Sequence, residues 1–243
     1  MDFAPLNLAG VYRPLRFANE LNRNGITPIV LTFDLDENFR KIYDRIDIDL
    51  MSKLDEGVII KRIPLDDLSP LYVSKWKRFR NIYFSLSDNY DKLWRHNLNE
   101  ALPAIIKELQ PEAIVVTCPP FSGAVLAMEV SKKYHLPLIV DMRDAWAQLS
   151  MSPLGSYLHY ALKRRLEWKV FQRASAIISV TPQLKDIFTS THPGLLQEKF
   201  HVIYNTAESD LPNLHSVEAP PISARDAIHI GYTGTIYYVS ESR

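Results

Sequence analysis

Two carboxylates and a guanidinium fall within four residues, at Asp141, Arg143 and Asp144. They lie in the stretch Leu136–Ala147, LPLIVDMRDAWA, which opens apolar and turns abruptly polar. A short apolar run bounded by a turn signal is the pattern of a buried parallel strand. In open α/β sheets, ligands bind beyond the carboxyl ends of the strands. Carboxylates there can orient or deprotonate a hydroxyl, and a guanidinium can hold an anion. The plain alternative is that Arg143 and Asp144 tie down the following loop through an ion pair.

The elements that must position these groups follow from periodicity. Pro14 suits a first helical turn, Leu15, Ala18 and Leu21 share a face, and Gly25 is a helix stop, so a helix over 14–24 is expected. A strand follows over 26–33. Residues 34–54 are expected to form a loop with a short helix, and 57–63 a strand. No clear strand precedes the Gly10 loop, so either Met1–Ala4 is its stub or the chain begins late. Trp76, Phe79, Tyr83 and Leu86 recur at helical spacing, as do Trp94, Leu98, Leu102, Ile105 and Leu109; both stripes are expected in the core. Pro103 is expected to kink the second helix or start a new one. Strands over 113–117, 174–180 and 200–204 alternate with helices over 123–134, within 153–173 and over 182–189. The segment rich in Pro, Ser and Asn up to residue 227 is a linker, and 228–232 is one more strand, followed by Thr233-Gly234-Thr235. This alternation predicts an α/β fold, a Rossmann-like parallel sheet with helices on both faces.

With 243 residues and 47% hydrophobic side chains, the chain can bury a substantial core. Lys plus Arg and Asp plus Glu both number 28, a balance that argues against a general nucleic-acid binder. Cys118 is the single cysteine, so no intramolecular disulfide forms, which fits a reducing compartment. No apolar run reaches transmembrane length and no signal peptide is visible. There is no G-x-G-x-x-G after a strand, no phosphate-binding P-loop and no G-x-S-x-G elbow. The seven histidines have no metal-ligand spacing, and His192 and His201 are expected at the surface. Cys118, beside two prolines, has no assignable catalytic partner.

Several stretches together carry a resemblance. They are the Gly10 loop with Arg13, TCPPFS at Thr117–Ser122, LPLIVDMRDAW, ASAIISVT at Ala174–Thr181, VIYN at Val202–Asn205 and HIGYTGTIY at His229–Tyr237. In this order they resemble the N-terminal half of bacterial GT-B-fold glycosyltransferases of the retaining family 4 type, in the group that builds surface polysaccharides. The chain differs from that pattern in carrying Gly10 alone in its loop and Thr206 directly after VIYN. The resemblance implies an acceptor-side domain over 1–207, a linker over 208–227, and over 228–243 the first strand and loop of a truncated donor-binding domain. A fragment of this kind is expected to be inactive alone.

The implied reaction moves a sugar from a nucleotide-sugar donor to a glycan or lipid-linked acceptor, with no cofactor and no metal. Asp141, Arg143 and Asp144 would be catalytic. Gly10, Arg13, Asn205, Gly234 and Thr235 would face the donor phosphates, where backbone N–H groups and cations stabilise the leaving diphosphate. Thr117, Pro119, Pro120 and Ser122 would form the acceptor-side loop. Two alternatives stay open: another GT-B enzyme such as a sugar-nucleotide epimerase, and a non-catalytic half-domain that binds a sugar or a partner. Lys75, Lys77, Arg78 and Arg80 interleave with Trp76, Phe79 and Tyr83, a pattern suited to an anionic membrane surface. The location implied is cytoplasmic, peripheral on the inner face of the cell membrane.

Overall fold

A computed structural model describes residues 2–34, 45–66, 92, 94–148 and 156–206, all within one compact unit, Met1–Thr206. The helix expected over 72–86, with its basic and aromatic run, the linker 208–227, the strand 228–232 and the Gly234-Thr235 loop lie outside the described residues.

Helix α1 spans Tyr12–Arg23. Pro14 falls in its first turn, where a missing N–H leaves no hydrogen bond unmade. Gly25 follows at φ 78°, a left-handed position that glycine adopts without steric cost. Strands β1 (Ile29–Phe33) and β2 (Ile59–Ile63) pair in parallel, with the short helix α2 (Asp49–Ser52) between them in sequence. Helix α3 spans Arg95–Leu109, starting later than the pattern from Tyr90 and running through Pro103 without a break. One lost backbone bond there is outweighed by burial of Trp94, Leu98, Leu102 and Ile105 on a single stripe. These side chains join Phe3, Leu6, Leu15, Phe33, Leu50 and Ile63 in a first hydrophobic core.

The second half alternates regularly. It comprises β3 (Ile114–Cys118), α4 (Phe121–Tyr134), β4 (Leu138–Met142), α5 (Tyr157–Arg173), β5 (Ala176–Ser179), α6 (Pro182–Thr191) and β6 (Phe200–Val202). The four strands form a parallel sheet in the order β3-β4-β5-β6. A second core surrounds Phe171, which meets Phe188 and Phe200 edge-to-face at 5.1 and 6.0 Å between centroids. The architecture is a Rossmann-like α/β fold, with parallel strands and helices on both sides.

Among the described residues the strands divide into a two-stranded and a four-stranded parallel sheet. One expectation is corrected. The stub at Met1–Ala4 supplies no strand in its described part: residues 2–5 are turn and coil, and Leu6 makes a lone antiparallel bridge with Ile46. Arg62 instead ties this segment to β1, donating to the Ala4 and Phe33 carbonyls at 3.0 and 3.2 Å. Burial lowers the pKa of the Arg62 guanidinium from its ordinary value, against the opposing pull of Asp34.

Candidate functional site

Parallel register puts Thr117 of β3 opposite Asp141 of β4 at the carboxyl end of the sheet. Neighbours in register project to the same face, and the Thr117 hydroxyl donates to Asp141 Oδ2 at 2.9 Å. The first turn of α1 brings Arg13 onto the same carboxylate. Its Nε donates to both Asp141 oxygens at 3.1 and 2.9 Å, and its Nη2 to Oδ1 at 2.7 Å. The remaining N–H groups of Arg13 reach the carbonyls of Ile203 and Tyr204 and the Asn205 side-chain oxygen, at 2.9 to 3.1 Å. All five guanidinium donors are thereby taken by the protein. Arg13 is 6% exposed and Asp141 fully buried.

Arg143 builds a second clasp just beyond β4. Its Nη1 donates to the Gly10 carbonyl at 2.6 Å, its Nη2 to the Pro119 carbonyl and its Nε to the Cys118 carbonyl at 3.3 Å. Among the described residues, two of its guanidinium N–H groups make no hydrogen bond. Among the described residues no carboxylate neutralises this charge. Gly10 matters here through its size: a Cβ at that position would lie 2.5 Å from Arg143 Nη1. The close approach that glycine permits is therefore made by a protein cation. Gly10→Ala is expected to push Arg143 off the Gly10 carbonyl and lose about 1.5–3 kcal/mol, the range for a charge-assisted hydrogen bond. Thermal melting of Gly10→Ala, Arg143→Ala and the double variant tests this. The double variant should cost little more than Arg143→Ala alone, whereas additive losses would show that the two positions act separately.

The loop after β4 is fixed from below. Trp146 stacks on Phe121, the first residue of α4, at 5.3 Å and 4°. The Ala147 N–H donates to Glu167 Oε1 at 3.3 Å, and Glu167 Oε2 lies 2.7 Å from His192 Nε2, both side chains being buried. His192, expected at the surface, is thus an interior residue beside Phe171, because Glu167 gives its ring a polar partner inside the core. His201 is exposed as expected.

A cleft of about 500 Å³ opens at this edge, lined by Tyr12, Arg16, Phe17, Arg143, Tyr204 and Asn205 among others. Of the residues singled out in the sequence, Gly10, Arg13, Thr117, Pro119, Asp141, Arg143 and Asn205 are brought together here. Asp144 is exposed and makes no hydrogen bond or ion pair among the described residues. It is not the ion-pair partner of Arg143 that the plain alternative required. Pro120 is buried as the residue before α4. Ser122 is buried within the first turn of α4, which starts before the expected Gly123. Arg16 and Phe17 line the cleft unanticipated; they sit three and four residues after Arg13, the spacing that shares its helix face. No group of three or more His, Cys, Asp and Glu among the described residues could hold a metal ion.

Fold and site define an α/β domain with a charged cleft at the carboxyl edge of parallel strands. The family Glycosyltransferase Family 4 matches residues 14–210, and the chain belongs to it. Among solved structures, apo UGT2 of Phytolacca americana matches with a TM-score of 0.47 and 11% sequence identity, over 83% of this chain and 50% of that one. The chain therefore spans about half the length of that protein. No curated protein matches the sequence.

Proposed function

We propose that this chain is the acceptor-side part of a retaining glycosyltransferase of surface polysaccharide synthesis, moving a sugar from a nucleotide-sugar donor to a glycan or lipid-linked acceptor. The observation that carries the reading, beside family membership, is Arg143 at the cleft. It is held by backbone carbonyls and, among the described residues, keeps two N–H groups and a positive charge with no carboxylate partner, which would suit an anionic ligand. A preorganised cation of this kind stabilises charge that develops on a departing diphosphate.

The roles of the other residues follow from their bonding. Arg13, Asp141, Thr117 and Asn205 act as positioning residues, since their polar atoms already satisfy one another. In this reading Asp144, exposed just beyond β4, orients or deprotonates an acceptor hydroxyl. No cofactor or metal takes part in the proposed reaction.

The test is single-turnover transfer from a nucleotide sugar, with this chain joined to a donor-binding half. Asp144→Asn and Arg143→Ala should each lower turnover about a hundredfold or more, with the melting temperature of Asp144→Asn unchanged. Unchanged turnover per folded molecule in both variants would remove these residues from the reaction.

A further inference from the structure

Helix α5 and the turn that ends α6 border a recess of about 420 Å³, which shares no lining residue with the cleft at Arg143. Small-molecule sites begin at about 300 Å³. Arg164, Arg165 and Trp168 come from α5, and Thr191 and His192 from the end of α6. Among the described residues no carboxylate lines the recess. Arg164 donates from Nε and Nη2 to the Thr191 carbonyl at 3.2 and 2.7 Å, and its other three N–H groups make no bond among the described residues. Arg165 is exposed and makes no hydrogen bond or ion pair among the described residues. His192 lines the recess although it is only 3% exposed. Its Nε2 lies 2.7 Å from Glu167 Oε2. A carboxylate accepts, so Nε2 carries the ring proton and Nδ1 of the neutral imidazole is an acceptor. Nδ1 makes no hydrogen bond among the described residues. A polar atom on a side chain this deeply buried is normally bonded.

We propose that this recess binds a phosphorylated sugar. The phosphate meets Arg164 and Arg165, whose planar forks match its oxygens. A sugar hydroxyl donates to His192 Nδ1. The apolar face of the sugar ring lies against the Trp168 indole, which is 38% exposed. Each part of this ligand answers a group that a simpler one leaves unused. A bare phosphate would leave the Trp168 ring uncovered. A neutral sugar would leave both guanidinium groups without an anion. Binding here does not depend on the transfer reaction at the cleft, and either reading can fail without the other.

Calorimetric titration of the full chain with glucose 1-phosphate, and separately with glucose and with inorganic phosphate, tests the proposal. Glucose 1-phosphate should bind about tenfold or more tightly than either part alone. Uridine monophosphate carries the same chemistry on a ribose, and the tighter of the two ligands names the source. Arg165→Ser should weaken binding about tenfold or more, the loss of one charge-assisted hydrogen bond, with the melting temperature unchanged. Trp168→Ala should weaken glucose 1-phosphate and leave inorganic phosphate as it was. The His192 Nδ1 resonance should move on binding. Absence of binding by both sugar phosphates overturns the proposal. So does equal affinity for glucose 1-phosphate and inorganic phosphate, which would leave only the cations at work. Binding that survives Arg165→Ser places the ligand elsewhere, as in the cleft at Arg143, and likewise overturns it.

Discussion

Asp141→Ala is expected to lower stability by about 3–5 kcal/mol, the cost of removing one partner from a buried ion pair. The carboxylate is fully buried and accepts from Arg13 Nε and Nη2 and from the Thr117 hydroxyl. Without it, Arg13 keeps its acceptors at residues 203–205 but loses its counterion inside the protein. For a unit of this size each kcal/mol shifts the melting temperature by about 2–4 °C, so a drop of about 6–20 °C is expected. Urea denaturation should show a lower midpoint at constant slope. Replacing both partners, as Arg13→Met with Asp141→Leu, should recover much of the loss, because a buried pair replaced by apolar groups of similar volume is often near neutral. A loss below about 1 kcal/mol for Asp141→Ala would mean that the pair does not form as described.

Glu167→Ala carries the second large effect, about 2–6 kcal/mol. It strands two buried groups, the His192 ring nitrogen and the Ala147 N–H, each worth about 1–3 kcal/mol when left unpaired. The consequence is local as well as global. The Ala147 bond and the Trp146–Phe121 stack help hold the loop that carries Arg143 and Asp144. Hydrogen exchange at the Ala147 amide should therefore accelerate beyond the global change, and the near-ultraviolet signal of Trp146 should weaken. Glu167→Gln, which keeps a carbonyl oxygen and adds an N–H, should cost less. Equal losses in the two variants would show that the site tolerates no change of shape and that the bonds themselves matter little.

Strand β4 was legible because four apolar residues ending at Asp141 leave no other reading, and the pairing of Thr117 with Asp141 needs only the strand register. The partner of Arg13 was not legible. The resemblance assigned this residue to phosphate, whereas the guanidinium closes on a carboxylate 128 positions away. That contact depends on the approach of α1 to the sheet edge, which periodicity does not encode. Asp144 beside Arg143 invited an ion pair, yet Arg143 turns to the carbonyls of Gly10, Cys118 and Pro119. His192 was misread because it follows a helix end. The signal that could have found it is Glu167, which shares the inward face of α5 with Val170 and Phe171 despite its basic neighbours. At Pro103 no new helix starts, because propensity yields to tertiary burial when the apolar stripe runs uninterrupted on both sides of it.

Helix α4 is built into both cores. Leu126 packs with the first, alongside Val130 and Tyr134, while Phe121, Ala124 and Met128 belong to the second. In native-state hydrogen exchange such a helix behaves differently from its neighbours. Strands β1 and β2 share a two-stranded sheet and can open with α3 as one cooperative unit while the four-stranded sheet stays closed. The α4 amides then remain protected by the second core, and they should exchange only with the last and most protected group in the domain.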